Sequence, residues 1–178
     1  MITKAFTAAL IGVAFATLSA SAQQAQPAAQ GQAAPRPQPP TTYEGYVQNT
    51  WKGLHDKILT MAKDFPEDKY SWRPHPDSRT VLDEFRHVVI GLEMSAAELR
   101  GEKFDYGARI KADEEKPKTR DSVVKEMEAA IAVSYPLVQS GPKPRLVWWL
   151  EHQAAHYGKL VSNYRLNGLV PPISRPRS

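Results

Sequence analysis

The 178-residue sequence predicts an all-α protein built as one four-helix bundle. Apolar side chains recur at three- and four-residue steps in four segments of the chain, which is the period of one helix face. The 15 prolines concentrate in an N-terminal linker, around Pro74 and near the C-terminus, so that long stretches remain in which helices can run. No segment shows the alternating apolar pattern that is typical of a β-strand.

The N-terminal segment predicts a signal for export followed by a tether. Lys4 precedes a short apolar run over residues 5–18, and residues 20–22 have the small-x-small pattern of a signal-peptidase site. We therefore expect a signal peptide over residues 1–22, with an uncleaved anchor as the alternative. Residues 23–42 are rich in Gln, Ala and Pro and predict a flexible linker. The protein is expected to be periplasmic or secreted, and free of the membrane once the signal is cleaved.

The first helix is predicted over residues 43–63. The Phe65-Pro66 step ends the pattern, and the following residues, 66–79, contain three prolines and predict a loop. The apolar side chains on the predicted buried face of this helix are Val47, Trp51, Leu54, Ile58 and Met61.

The second helix is predicted to begin near Thr80, which has the spacing of a capping box with Asp83. Gly101 is its expected end, because glycine readily adopts the left-handed conformation that closes a helix. The polar, charged residues from there to position 118 predict a connection rather than core. The apolar stripe of this helix consists of Val81, Leu82, Phe85, Val88, Val89 and Leu92.

The third helix is predicted to begin at Asp121 or Ser122 and to be kinked or ended by Pro136. Its expected buried face consists of Val124, Met127, Ile131 and Tyr135. After a Gly- and Pro-rich break, the fourth helix is predicted over residues 145–167, with Gly168 as its stop. The bundle domain is thus expected over residues 43–172, followed by a basic, disordered tail over residues 173–178.

Composition excludes several classes of function. The chain has no cysteine, so a thiolate metal site, a cysteine nucleophile and a disulfide framework are excluded. Its net charge of +4 comes from Lys and Arg scattered among Asp and Glu, without a basic stripe. Nucleic-acid binding is therefore not favoured. Any chemistry must use nitrogen and oxygen groups.

Two histidines four residues apart, His152 and His156, lie one above the other on the predicted fourth helix. They share a helix face with Trp149 and Leu160, so we expect the pair to point into the bundle. Buried imidazoles without partners cost about 1–3 kcal/mol each, and a shared metal ion would satisfy both. The alternative is a pair of surface or hydrogen-bonded core histidines. Position 153 is Gln, which excludes the metalloprotease pattern His-Glu-x-x-His.

A stable metal site needs a third ligand, and the residue pattern leaves three candidates open. His75 lies between prolines in a loop, where we expect it to be exposed. His55 flanks the apolar face of the first helix as a boundary residue. His87 lies in the mostly apolar second helix, but away from the centre of its stripe; Ile90 and Met94 share its side. A helix that contacts neighbours on two sides would show this pattern.

Two separated stretches of the chain resemble the DinB-like family. The segment FPEDKYSWRP (65–74), followed by RTVLDEFRH (79–87), is similar to the loop and second helix of that family. The segment HQAAH (152–156), followed by YRLNGLVPP (164–172), is similar to its fourth helix and the exit from it. The resemblance covers residues 43–172 and is weakest in the middle of that range.

The resemblance implies an up-down-down-up bundle with a long crossover, and a metal site formed by His87, His152 and His156. Three neutral nitrogens leave a coordination position open, as in catalytic rather than structural zinc sites. Imidazole ligands suit Zn, Ni, Fe or Cu, and we expect one divalent ion, Zn or Ni ahead of Fe or Mn. No other cofactor and no catalytic residue is assigned.

The resemblance also implies a class of activity. DinB-like proteins are similar to thiol-dependent S-transferases, in which a metal activates a low-molecular-weight thiol, and to hydrolases. We therefore expect a metal-dependent transferase or hydrolase with an unidentified small-molecule substrate. Because such thiols are mainly cytosolic, export would separate the protein from its co-substrate. A non-catalytic metal-binding or sensing module, and a purely structural bundle, remain alternatives, and homodimerisation stays open.

Side chains around the expected site have more than one interpretation. Glu84, Tyr157 and Asn163 are candidates for orienting a ligand or a substrate, and each could equally be an ordinary surface or packing residue. Trp149 precedes His152 by one turn and is a candidate wall of the metal pocket. The remaining tryptophans are expected to fill core or boundary space.

Overall fold

A computed structural model describes residues 38–141 and 143–176 of the protein. The predicted signal peptide and most of the predicted linker lie outside these residues. The described chain is all-helical, as predicted, and none of its helices is long and apolar enough to cross a bilayer. Its helices are α1 (Tyr43–Asp64), α2 (Val81–Arg100), α3 (Tyr106–Glu114), α4 (Arg120–Gln139) and α5 (Arg145–Leu166), with short 3-10 turns at Glu67–Lys69 and Pro172–Ser174.

The helix ends follow the signals in the sequence. Thr80 caps α2, because its hydroxyl accepts from the backbone N–H of Asp83 and the Asp83 carboxylate accepts from the backbone N–H of Thr80. This reciprocal arrangement is the predicted capping box. Gly101 and Gly168 follow α2 and α5 with φ of +76° and +71°, a conformation that only glycine adopts without strain.

The four long helices form a bundle in which α1 and α2 each pack against both α4 and α5. Contacts near the helix ends give the directions. Gln48, early in α1, bonds to the carbonyl of Gln139 at the end of α4, so this pair is antiparallel. Tyr164, late in α5, bonds to the carbonyl of Met61, late in α1, so this pair is parallel.

The helix α2 runs antiparallel to α5. Glu84, in its first turn, contacts His156 in the second half of α5, whereas Glu98, in its last turn, contacts Trp149 near the start of α5. Because α1 and α5 therefore point one way and α2 and α4 the other, the topology is up-down-down-up, as the resemblance implies.

The parallel pair α2 and α4 requires a crossover along the bundle, a span of about 30 Å for a 20-residue helix. The connecting residues 101–119 contain α3, which the sequence pattern does not predict. None of its residues is fully buried, so the segment carries no apolar stripe. Ion pairs attach it instead: Arg109 contacts Glu93 of α2 and Glu126 of α4, and the buried Arg86 of α2 binds the carbonyl of Pro117.

The predicted core faces of the first two helices are buried in full. In α4 the prediction is confirmed for Met127, but it is one position too late for the other three residues: Val124, Ile131 and Tyr135 are only partly buried. Small side chains explain the difference, because apolar periodicity does not register them although they allow close helix packing. The buried residues of α4 are Val123, Met127, Ala130, Ser134 and Val138.

Pro136 does not end α4, so the part of the prediction that placed the helix end there is wrong. Proline removes one hydrogen bond from a helix, but here only the last turn follows it. That turn is held by the Ser140 backbone N–H, which donates to the carbonyl of Pro136 at 3.0 Å, and by the fully buried Val138.

The C-terminal residues that the structure describes fold back onto α1. Arg175 donates to both carboxylate oxygens of Asp64, and the Tyr164 hydroxyl also donates to that carboxylate. This ion pair and the 3-10 turn Pro172–Ser174 lie within or at the start of the segment that the sequence predicts to be a disordered tail, residues 173–178. The hydrogen bond from Arg175 holds the pKa of Asp64 below its ordinary value, although burial opposes ionisation.

Candidate metal centre

Three histidines from two helices meet between α2 and α5. His87 lies on α2, and His152 and His156 lie on α5; one ring nitrogen of each falls within 4.8 Å of the other two. The ring of His87 is centred 4.5 Å from that of His156 and 5.4 Å from that of His152. In the described part of the chain, this cluster has three members and no carboxylate among its potential ligands. The predicted trio is thus brought together.

The position of His87 follows from the double packing of α2. One face of this helix packs against α4 and another against α5. Ile90, which shares the side of His87, is buried as well. His87 therefore lies on a second contact face rather than on the main apolar stripe. This agrees with the sequence, in which Ile90 and Met94 share the side of His87.

A glycine and a glutamine set the register between α2 and α5. The buried Gln153 side chain donates from Nε2 to the carbonyl of Val88, the residue after His87. A Cβ atom at Gly91 would lie 2.6 Å from that same Nε2, which is closer than real Cβ contacts. Only glycine leaves room for the cross-link, and the cross-link holds His87 opposite the two histidines of α5.

The spacing of the α5 histidines fits a shared metal ion. The Nε2 atoms of His152 and His156 lie 3.2 Å apart. Two nitrogens at about 2.0–2.1 Å from a tetrahedral zinc ion would be separated by roughly 3.3 Å. The side chains are therefore already placed at the separation that one ion requires.

Glu84 fixes the orientation and the tautomer of His156. Its Oε1 lies 2.6 Å from the Nδ1 of His156, and both side chains are 5% exposed. Burial opposes ionisation of Glu84, but the hydrogen bond from His156 and the nearby Lys159 and Arg79 keep its pKa below the ordinary value. Because an ionised carboxylate only accepts, Nδ1 carries a proton, and in the neutral form of the ring Nε2 presents its lone pair. Metal-binding histidines are typically held in this way.

The surroundings favour neutral rings at the other two positions. Burial, followed by the charge of Arg79, lowers the pKa of His87 to about 4. Burial and the neighbouring His156 lower the pKa of His152 as well. A histidine binds a metal only in its neutral form, and these two rings are neutral at neutral pH.

Two tryptophans flank His152. Trp149 is buried, meets the His152 ring edge-on at 5.9 Å and donates to Glu98. It contacts His152 but lines neither of the two cavities at the centre, so its role as a pocket wall stays a prediction. Trp148 was expected in the core or at its boundary, but it is 43% exposed and stacks on the His152 ring at 5.4 Å. Its aromatic face restricts the orientation of that ligand.

The other histidine candidates lie away from the centre. His75 is exposed, as expected. His55 is 1% exposed rather than at the boundary, and its Nδ1 bonds to the carbonyl of Trp51. Burial lowers the pKa of His55 to about 4, so this ring is neutral inside the core.

The three candidates for orienting a ligand or a substrate separate clearly. Glu84 contacts a histidine of the cluster directly. Tyr157 faces Lys57 on α1 instead, with the ammonium 5.8 Å from its ring. Asn163 is buried and lines a neighbouring cavity. The sequence offers no means of choosing among the three, since each lies within two helical turns of a histidine.

Two cavities adjoin the centre. One, of about 840 Å³, runs between the segment before α2 and the second half of α5, and reaches Glu84. The other, of about 320 Å³, lies between α2 and α3 and is lined by His87, Ile90 and Tyr106. Arg79 lines both cavities. The smaller one is lined by His87 of the cluster, whereas the larger one reaches the centre through Glu84.

Comparison with known protein families agrees with this architecture. The family model of the DinB superfamily matches residues 50–146, which is more than half of the chain. The match includes His87 and ends at the start of α5. No curated protein matches the sequence. On the strength of the family match and the all-helical bundle, the chain belongs to the DinB superfamily.

Proposed function

We propose that the protein binds one divalent metal ion through His87, His152 and His156 and uses its open coordination position to activate a small molecule. The observation that carries this proposal is the 3.2 Å separation of the two Nε2 atoms on α5, with Glu84 bonded behind one of them. Three nitrogen ligands favour a catalytic arrangement over a closed structural one. Zn and Ni are the candidate ions ahead of Fe and Mn.

The protein supplies orientation and access at this centre. When bound, a divalent ion supplies Lewis acidity to a thiol, a water molecule or a carbonyl at its open position. Glu84 holds the His156 ring with Nε2 forward, and Trp148 restricts the His152 ring. His87 and His152 are only partly buried, which leaves the centre accessible. A thiol S-transferase or a hydrolase reaction fits such a centre.

A non-catalytic metal-binding or sensing module is the second candidate. The observation that favours it is the hydrogen bond between Glu84 and His156, because a carboxylate engaged in this bond is not free to take a proton from a substrate. Catalysis would then rely on the Lewis acidity of the ion alone. Export, if the predicted signal peptide is cleaved, would also favour this candidate by removing cytosolic thiols.

Metal loading tests the shared part of both candidates. The purified domain is loaded with zinc or nickel, dialysed and measured by elemental analysis. We expect about one ion per chain in the wild type, and loss of that ion in His87→Ala and His152→Ala. His75→Ala is the matched control, because this exposed histidine lies in a loop away from the cluster. Full occupancy in His87→Ala would contradict a three-histidine site.

Turnover separates the two candidates. The zinc- and nickel-loaded proteins are assayed with low-molecular-weight thiols plus electrophiles, and with amide and ester substrates. Turnover that disappears in His152→Ala supports the enzyme. Stoichiometric metal binding without turnover in any of these assays supports the binding module instead.

A further inference from the structure

Two cationic side chains line a groove, the larger of the two cavities, which reaches the centre through Glu84. The larger cavity lies between residues 74–79 and α5, and Arg79 and Lys159 line it from opposite sides. Glu84 forms part of the same lining and contacts His156, so the groove ends against a residue that touches the centre. Arg79 also lines the smaller cavity beside His87.

The charges of Arg79 and Lys159 are only partly compensated. Both face Glu84, at 3.8 Å and 3.9 Å, which is too long for a hydrogen bond. The Glu84 oxygen nearest to Lys159 is already engaged by His156 at 2.6 Å. One buried carboxylate therefore faces two cations, whose N–H groups keep their capacity to donate.

The remaining acidic group of this groove does not change the balance. Asp77 lines the groove, but its side chain is 92% exposed and lies 3.5 Å from His75. Solvent screens this carboxylate more strongly than it screens Arg79 and Lys159, whose side chains are 43% and 58% exposed. A divalent ion at the histidines would add two further positive charges. The groove would thus present a positive potential to an incoming ligand.

We propose that the substrate of this centre is a small anionic molecule, whose carboxylate or phosphate group binds Arg79 and Lys159 while its reactive part extends past Arg79 to His87 in the smaller cavity. This inference rests on the proposed function, since it names the substrate class of the same site. The guanidinium of Arg79 offers paired N–H donors that match a carboxylate or a phosphate, and Lys159 adds a point charge. The groove, at about 840 Å³, has room for a metabolite-sized ligand.

Calorimetric titration at low ionic strength tests this proposal. Zinc-loaded protein is titrated with inorganic phosphate, with succinate and with uncharged succinamide. We expect saturable binding of at least one anion and none of succinamide. Arg79→Gln and Lys159→Gln should each weaken anion binding by roughly tenfold, because a charge-assisted hydrogen bond is lost. The better-bound anion indicates which oxyanion group the substrate carries.

Arg165→Gln is the charge-matched control. This arginine is exposed on α5 but does not line the groove, so its loss should leave anion binding unchanged. Thermal melting confirms that all variants are folded. If Arg79→Gln and Lys159→Gln bind phosphate and succinate as the wild type and Arg165→Gln do, or if neither anion binds, the proposal is overturned.

His152→Ala separates this proposal from that of the metal centre. Elemental analysis of the same samples shows whether metal is bound. Weaker anion binding in Arg79→Gln at unchanged zinc content supports the anion site. If zinc binds nowhere but anion binding in both the wild type and His152→Ala still depends on Arg79, the metal proposal fails and the anion site stands. If zinc binds fully but anion binding does not depend on Arg79, the anion site fails and the metal proposal stands.

Discussion

At the scale of single residues, Glu84 determines which nitrogen of His156 is free to bind a metal. Its ionised carboxylate accepts the Nδ1 proton inside the bundle, where both side chains are almost fully buried. The hydrogen bond therefore orients the ring and raises the basicity of Nε2. Trp148 acts on His152 by packing rather than by hydrogen bonding.

Substitution of Glu84 should weaken metal binding without removing a ligand. In Glu84→Gln the carboxamide no longer stabilises the required tautomer by charge, so we expect roughly 10- to 100-fold lower zinc affinity. A competition titration with a chromophoric chelator measures the change. The control is Glu128→Gln, which alters a half-exposed surface ion pair with Lys63. Equal zinc affinity in Glu84→Gln and Glu128→Gln would show that Glu84 plays no part in the centre.

Residue spacing alone predicted only part of this site. The four-residue step placed His152 and His156 on one face, because that step is built into the geometry of a helix. His87 lies on another helix, and no local pattern relates the two; it was assigned through the resemblance to DinB-like proteins. Glu84 was one of three equivalent candidates until the fold brought it against His156.

At the scale of helices, the histidine cluster depends on the contact between α2 and α5. The absence of a side chain at Gly91 lets Gln153 reach the α2 backbone beside His87. This pairing of a small residue with a long polar one fixes how α2 and α5 align next to His87.

Gly91→Ala should disturb both folding and metal binding. The added Cβ would lie 2.6 Å from Gln153, so we expect a loss of about 1–3 kcal/mol in the free energy of unfolding. Zinc affinity should fall in parallel as His87 is displaced. Gly53→Ala is the control, since its Cβ would meet nothing within 4 Å and should stabilise α1 by about 0.5–1 kcal/mol.

Urea unfolding of the metal-free proteins and zinc titration of each variant measure the two effects. If Gly91→Ala matches Gly53→Ala in stability and in zinc affinity, the register between α2 and α5 does not depend on this contact.

The bounds of the long helices were largely predictable, because caps and glycines mark their ends locally. The crossover helix α3 was missed, since it is held by ion pairs that apolar periodicity does not detect. The predicted buried face of α4 was partly wrong for a related reason, because Ala130 and Ser134 are buried by close packing and not by their hydrophobicity.

At the scale of the whole molecule, the up-down-down-up topology makes the site possible. It places α2 and α5 side by side and antiparallel, so the first half of one meets the second half of the other. Four amphipathic helices alone are compatible with several connection orders. The order was implied by the family resemblance, and the contacts at the helix ends now define it.

A buried histidine outside the site should make folding sensitive to acid. The pKa of His55 is lowered to about 4 by burial, against an ordinary value of 6.5. The unfolded chain therefore binds a proton that the folded chain excludes, so stability present above pH 6.5 is lost as the pH falls towards 4. At about 1.4 kcal/mol per pKa unit, the loss amounts to roughly 3 kcal/mol.

Urea unfolding of the metal-free protein between pH 7 and pH 4 tests this expectation. His55→Leu keeps a similar side-chain volume but cannot be protonated, so its stability should fall less steeply than that of the wild type. His87 and His152 are present in both proteins, and their contribution cancels in the comparison. Parallel stability curves for the two proteins would exclude His55 as the source of the acid sensitivity.

The central claim is that one ion is shared by three imidazoles from two helices. Anomalous diffraction at the zinc absorption edge, from crystals of the zinc-loaded domain, tests it most directly. We predict a single peak at about 2.0–2.1 Å from one nitrogen each of His87, His152 and His156. A peak bound by the α5 pair alone, with the His87 ring turned away, or a peak elsewhere on the protein, would contradict the account.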